Sequence, residues 1–175
     1  MRALYLAVAT VCLVAPLHAA VVDSSSAGFT VRHVITTHVP PDSVYRALIA
    51  VQRWWSPAHT WSGSASNLSL AAAAGGCFCE RLAHGGSVLH MAVVYADPGH
   101  LLRMNGAIGP LQGYALAATM TWELEGNGGG TTLTLTYAVG GYVPSGITAF
   151  CGPVDGVLGE QVRRLQRLTD SGRPE

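Results

Sequence analysis

Ile147-Thr148-Ala149-Phe150-Cys151-Gly152-Pro153-Val154-Asp155-Gly156-Val157-Leu158-Gly159-Glu160-Gln161-Val162-Arg163-Arg164-Leu165-Gln166-Arg167-Leu168 is the stretch that decides the fold. Ile147, Phe150, Cys151, Val154, Leu158, Val162, Leu165 and Leu168 recur at helical spacing, while Arg163, Arg164 and Arg167 occupy the other side. That pattern is an amphipathic helix with one stripe to bury. Gly152 and Pro153 mark a kink or the helix's true start. The stripe needs a partner as long as itself. Upstream there is only a short helical pattern, so the partner must be a sheet.

The sheet is legible upstream. Phe29 to Thr36 is dense in β-branched residues and reads as the first strand. Pro40-Pro41-Asp42-Ser43 stops it and opens a helix with Val44, Leu48 and Val51 on one face. This helix is expected to run into Trp54-Trp55 and to end at Pro57. A polar, glycine-containing loop follows, with His59, Trp61 and Gly63, then a short strand at Leu68 to Leu70. Cys77 to Leu82 and Val88 to Ala96 flank a turn at His84-Gly85-Gly86, and Asp97-Pro98-Gly99 leads into Leu101 to Met104. Tyr114 to Glu125 and Thr131 to Val139 form a second hairpin around Asn127-Gly128-Gly129-Gly130. No internal repeat appears.

Composition bounds the function. The 175 residues are 49% hydrophobic and only 11% charged, with zero formal net charge; an average domain carries about 25% charged residues. One core-rich domain follows, and disorder is excluded for most of the length. All ten basic residues are arginine, which removes Schiff-base lysine and phosphate-loop lysine chemistry. Neutral charge without a basic cluster argues against a nucleic-acid partner.

The N-terminus is a separate object. Arg2 precedes an uncharged apolar stretch from Ala3 to Ala15, Pro16 breaks it, and Leu17-His18-Ala19 or His18-Ala19-Ala20 offers a cleavage site. Residues 1–20 therefore read as a secretory signal peptide, and an uncleaved anchor is the competing reading. Residues 21–27 read as a serine-rich linker, 28–170 as the domain and 171–175 as a tail. The expected location is periplasmic or secreted, with no stable membrane insertion after cleavage. Removing residues 1–20 takes Cys12 and leaves Cys77, Cys79 and Cys151. A Cys77–Cys79 disulfide on a regular strand spans about 6.5–7 Å between Cα atoms, at or beyond the usual limit. A long-range bridge to Cys151 and three buried free thiols are equally open.

The order of strand, helix, short helix, antiparallel strands and one long helix is an α+β arrangement. It resembles the helix-grip fold of the SRPBCC superfamily (START-like and polyketide cyclase-like domains), a curved antiparallel sheet wrapped around a long C-terminal helix. The resemblance rests on Pro41-Asp42-Ser43-Val44-Tyr45 as the first helix start and on Trp54-Trp55-Ser56-Pro57 with His59-Thr60-Trp61-Ser62-Gly63 as the tryptophan-rich segment. Gly75-Gly76-Cys77-Phe78-Cys79-Glu80 and Asp97-Pro98-Gly99-His100-Leu101-Leu102 resemble the starts of two strands. It implies a hydrophobic cavity between sheet and C-terminal helix that takes lipids, sterols, polyketides or similar molecules. One branch of the superfamily resembles heat-shock-protein ATPase activators, whose cytosolic setting an exported chain leaves.

No residue set dictates catalysis. Gly-x-Ser-x-Gly and His-Glu-x-x-His are absent, and Gly126 to Gly130 joins two strands rather than opening a helix. No cofactor is expected. Asn67-Leu68-Ser69 is a glycosylation sequon, informative only in a eukaryotic host. Adjacent Trp54 and Trp55 point about 100° apart on a helix, one toward the core and one toward the cavity mouth. Glu80 and His90 lie inside strands where surface positions are the ordinary expectation, because only one sheet face is covered. They are nonetheless the candidate acid and base of a cyclase or aromatase-type enzyme, the alternative to a binder or carrier of a small hydrophobic molecule. A two-residue turn at His84-Gly85 sets Cys79 opposite His90 and makes Cys77, Cys79 and His90 a weak metal candidate. A one-residue shift pairs Glu80 with His90 instead. The expected ligand contacts are Trp55, His59, Trp61, Gln112, Tyr114, Tyr142, Phe150 and Val154, and the expected oligomeric state is a monomer or weak dimer.

The mature protein should begin near Ala20 or Val21. N-terminal sequencing of material from the native host checks this; Arg2 retained in a membrane fraction would contradict it.

Overall fold

The computed structural model describes residues 20–175, so the signal segment read at residues 1–20 lies outside the described residues apart from Ala20. Eight strands form one antiparallel, curved sheet. They are β1 (Ala20–Ser25), β2 (Gly28–Thr37), β3 (Leu68–Leu70), β4 (Cys77–Arg81), β5 (Ser87–Asp97), β6 (Leu101–Asn105), β7 (Ala115–Gly126) and β8 (Thr131–Tyr142). The spatial order is β1-β2-β8-β7-β6-β5-β4-β3. Helix α1 (Pro41–Ile49) links β2 to the irregular segment before β3, and α2 (Cys151–Ser171) closes the chain. This is the helix-grip α+β arrangement.

Period-two alternation builds the concave face. Val31, Tyr137 and Met120 are buried and lie side by side across β2, β8 and β7, as do Leu135, Trp122 and Leu102 across β8, β7 and β6. Onto this face α2 sets Leu158, Val162, Leu165 and Leu168, all buried. Ile147–Phe150 forms a separate 3-10 turn, so the regular helix starts at Cys151, with Pro153 in its first turn where a missing N–H is harmless.

Two boundaries differ from the sequence reading. The segment read as a linker contains β1, because Ala20 to Ser25 finds a ladder along β2. Helix α1 stops at Ile49 rather than running to Trp55. The Trp54 indole folds back and donates to the carbonyls of Ala47 and Leu48 at 3.0 and 3.1 Å, taking acceptors that continued helix would have used. Arg164, on the polar side of the helical pattern, donates through Nε to the Trp54 carbonyl at 2.7 Å and holds this corner against α2.

The β4–β5 hairpin also differs, and this matters for the site. Leu82 pairs with Gly86, leaving the loop Ala83-His84-Gly85 rather than a two-residue turn. Both His84 and Gly85 take positive φ, 58° and 79°, as a short reversal requires. From there Arg81 opposes Ser87, Glu80 opposes Val88 and Cys79 opposes Leu89, but Phe78 opposes Met91. His90 is the extra residue of a β-bulge. Beside it Gly106, at φ 145°, brings its Cα so near that a Cβ would meet the His90 carbonyl at 2.7 Å. The loop after β6 hangs from Tyr137, whose hydroxyl accepts the Ile108 N–H at 3.1 Å and donates to the Gly106 carbonyl at 3.4 Å. Burial pushes the Tyr137 hydroxyl pKa up to about 12.

Tyr137→Phe should leave the buried Ile108 N–H unpaired, at a cost of about 1–3 kcal/mol. Thermal unfolding should then shift down by about 2–4 °C per kcal/mol, and an unchanged midpoint would show that this loop does not depend on Tyr137.

Candidate functional site

Helix α2 packs chiefly on β2 and α1, so the curved sheet falls away from its N-terminal half near β4 and β5. The space left is a cavity of about 510 Å³. Trp55, His59, Thr60 and Trp61 wall it from the loop side; Phe78 and His90 from the sheet; Ile108, Pro110 and Leu111 from the loop after β6; Phe150, Val154 and Val157 from the helix side. The surface is overwhelmingly apolar. Its size lies within the usual range of small-molecule sites, about 300–1,000 Å³.

The loop from Trp54 to Ser62 bridges helix and sheet across this space. On the helix side the Ser56 N–H donates to Gln161 Oε1 at 2.8 Å, and His59 Nε2 meets Glu160 Oε2 at 3.0 Å. Gln161 is completely buried for this purpose. The Trp55 indole donates to the His59 carbonyl at 2.9 Å, which fixes its ring plane against the cavity. On the sheet side the backbone N–H groups of Trp61 and Ser62 donate to the two carboxylate oxygens of Glu80, the Trp61 bond at 3.1 Å.

Glu80 and His90 are therefore interior groups, 1% and 6% exposed, and not surface residues. His90 Nε2 lies 2.9 Å from Glu80 Oε2. Neither register read from the sequence is correct: Glu80 opposes Val88, and the bulge turns His90 inward onto the Glu80 side. Burial alone would raise the Glu80 pKa, but hydrogen bonds from Ser62, Trp61 and His90 outweigh it and hold the carboxyl below its ordinary value. Burial lowers the His90 pKa, only partly opposed by Glu80. The pair is a carboxylate beside a neutral imidazole. Because every donor around Glu80 points at its oxygens, Nε2 carries the proton. The His90 ring also packs on Phe78, with centroids 4.8 Å apart.

The cysteine–histidine group does not assemble. Cys77 and Cys79 form a disulfide, with Cα atoms 5.5 Å apart, closer than the about 6.5–7 Å expected of a regular strand. They alternate with inward-facing Phe78 and Glu80, so the bridge sits on the outer face, away from His90. Cys151 stays a buried free thiol whose pKa is pushed up by burial and by Asp155. Among the described residues no cluster of three His, Cys, Asp or Glu is set to hold a metal.

Of the expected contact residues, Trp55, His59, Trp61, Phe150 and Val154 line the cavity. Gln112 does not, because its amide donates to the Leu89 carbonyl at 2.6 Å. Tyr114 stacks edge-on against the far side of Phe150, 5.4 Å between centroids. Tyr142 is 68% exposed, since Gly141 pairs with Leu116 and leaves it at the open end of β8. Phe78, Ile108 and Val157 were not singled out from the sequence. Val157 carried a signal, standing one turn beyond Val154 on the same helix face.

No family model matches the sequence, and no curated protein does. Solved structures do match. The Aha1 dimer from Colwellia psychrerythraea superposes with a TM-score of 0.59 at 18% identity, over 82% of this chain and 97% of that one. DynU16, from the dynemicin biosynthetic locus, gives 0.58 at 22% identity, over 83% of this chain and 48% of that one. CalU16 from Micromonospora echinospora gives 0.57 at 16%, over 81% and 74%. At these identities the likeness is one of fold.

Stability should fall as the pH drops. A lowered folded-state pKa means that the unfolded chain binds protons first, so stability is lost below the ordinary histidine value of 6.5 for His90 and His33 and further through the carboxylate range for Glu80. Urea midpoints at pH 7.5 and 5.5 measure the slope. His90→Phe should make it shallower even though the variant is less stable overall; an unchanged slope would mean that His90 is not held neutral.

Proposed function

We propose that this protein binds or carries a small hydrophobic molecule in the cavity between α2 and the sheet. One observation carries the reading: a preformed apolar cavity of about 510 Å³ with a single buried, oriented imidazole in its wall. Apolar clefts with a few fixed polar groups are the usual form of small-molecule sites. The fold shared with DynU16 and CalU16 is compatible with such a role. A position outside the cytoplasm, periplasmic or secreted, fits the N-terminal apolar stretch and the Cys77–Cys79 disulfide, since disulfides persist in oxidising compartments. Among the described residues no helix is long and apolar enough to cross a membrane. We take the protein as a monomer or weak dimer.

A second reading, an enzyme of cyclase or aromatase type, is favoured by one specific feature. Glu80 holds the Nε2 proton of His90 and leaves its Nδ1 as a base facing the cavity. In that reading Glu80 orients and His90 accepts the proton. Loss of turnover in His90→Phe with ligand binding retained would mark the enzyme.

An environment-sensitive apolar dye should bind to the wild type with a fluorescence increase. Phe150→Trp and Val154→Trp, which fill the cavity from the helix side, should weaken that binding at least about tenfold, or ~1.4 kcal/mol, without loss of the folded state by circular dichroism. A dye that binds wild type and both variants alike is not in this cavity, and the carrier reading falls.

A further inference from the structure

His90 places one hydrogen-bond acceptor in an apolar cavity. Its Nε2 is taken by Glu80; its Nδ1 makes no hydrogen bond among the described residues and is not among the atoms sealed from solvent without a partner, so it is left accessible. The ring lines the cavity, so Nδ1 is the atom that a bound molecule meets. Glu80 itself does not reach the lining; it lies behind the imidazole, with its oxygens occupied by Trp61, Ser62 and His90. Of the other polar side chains of the wall, Thr60 donates to the Pro57 carbonyl at 2.8 Å and His59 gives its Nε2 to Glu160 at 3.0 Å. His59 Nδ1 and the Trp61 indole N–H make no hydrogen bond among the described residues, but they lie at the outer rim of the cavity, where both side chains are exposed. Thr60 is likewise less buried than His90. Among the described residues no arginine lines the cavity to receive an anion.

From this arrangement we infer that the ligand is an uncharged, ring-sized apolar molecule bearing a hydroxyl group, phenolic or enolic, which donates its hydrogen bond to His90 Nδ1. This rests on the binding reading above and narrows it. A neutral imidazole with Nε2–H committed to a carboxylate can only accept at Nδ1. A ligand without a donor covers that acceptor and leaves it unpaired against apolar surface. A ligand ending in a carboxylate fares worse: it too is acceptor-only, and it brings a negative charge towards Glu80 in surroundings that screen poorly. The aromatic walls, Trp55 and Phe78 above all, suit a flat ring system. The site therefore discriminates by donor and by charge, in addition to selecting for apolar area.

Three probes of one ring system separate these features: naphthalene, 2-naphthol and 2-naphthoate, titrated against the wild-type chain at pH 7.5 by quenching of tryptophan fluorescence and by displacement of the apolar dye. The naphthol should bind roughly tenfold tighter than naphthalene, the worth of one buried hydrogen bond, and the naphthoate should be the weakest. In His90→Phe the naphthol advantage should vanish while naphthalene still binds. In Glu80→Gln the naphthoate should gain relative to naphthalene. Should either variant fail to fold, the wild-type order alone decides. Naphthol no tighter than naphthalene, or naphthoate the tightest of the three, overturns the hydroxyl assignment and leaves the apolar cavity standing as a binding site. If neither the dye nor any probe binds, the cavity reading fails and this inference with it.

Discussion

Glu80 brings a negative charge into the interior of a chain that has few charges of any kind, and much of the site is arranged around keeping it there. Taking an unpaired carboxylate out of water costs several kcal/mol or more. Here two backbone N–H groups and one imidazole converge on it. The donors come from two parts of the cavity: Trp61 and Ser62 from the loop across its mouth, His90 from the sheet. The interaction thus sets the loop's height above the sheet and the tilt of the imidazole at once. Removing the carboxylate would release all three groups together.

The helix side is organised by the same economy of polar contacts. Gln161, Glu160 and Arg164 lie within one turn of α2, and each holds a different point of the Trp54–His59 segment. Two tryptophans in succession are consequently held in different roles. Trp54 is sealed beneath the segment against Trp122, with ring centroids 6.0 Å apart, and Trp55 is held in the cavity wall. Rigid walls of this kind favour one shape of occupant, because little rotamer freedom remains to be lost on binding.

How much of this was legible in the sequence depends on whether a feature repeats. The α2 stripe from Leu158 to Leu168 and the alternation of Leu133, Leu135 and Tyr137 repeat at 3.6 and 2 residues, and they carried the fold class. A bulge does not repeat. His90 and Met91 both turn inward with no compositional mark to announce it, so the Glu80–His90 pair was visible as one of two registers while the geometry that forms it was not. Its burial was missed for the same reason, since strand alternation says nothing of the Trp61–Ser62 loop that covers Glu80. Gln112 and Tyr142 failed differently. Their chemistry suited a ligand, but a backbone carbonyl of Leu89 claimed the first and the end of a strand stranded the second.

The two-residue spacing of the disulfide has a consequence for what the bridge can hold together. A bridge between Cys77 and Cys79 closes so small a loop that it removes little entropy from the unfolded chain, about 1–2 kcal/mol by the loop-closure relation. It adds little to global stability. The two thiols are separated by a single residue, Phe78, which points to the opposite face. Cys151, more than seventy residues further on, is buried at the start of the helix and takes no part in the bridge. The bridge thus joins near neighbours in sequence and pins one short stretch of an edge hairpin, leaving the long-range architecture to packing alone.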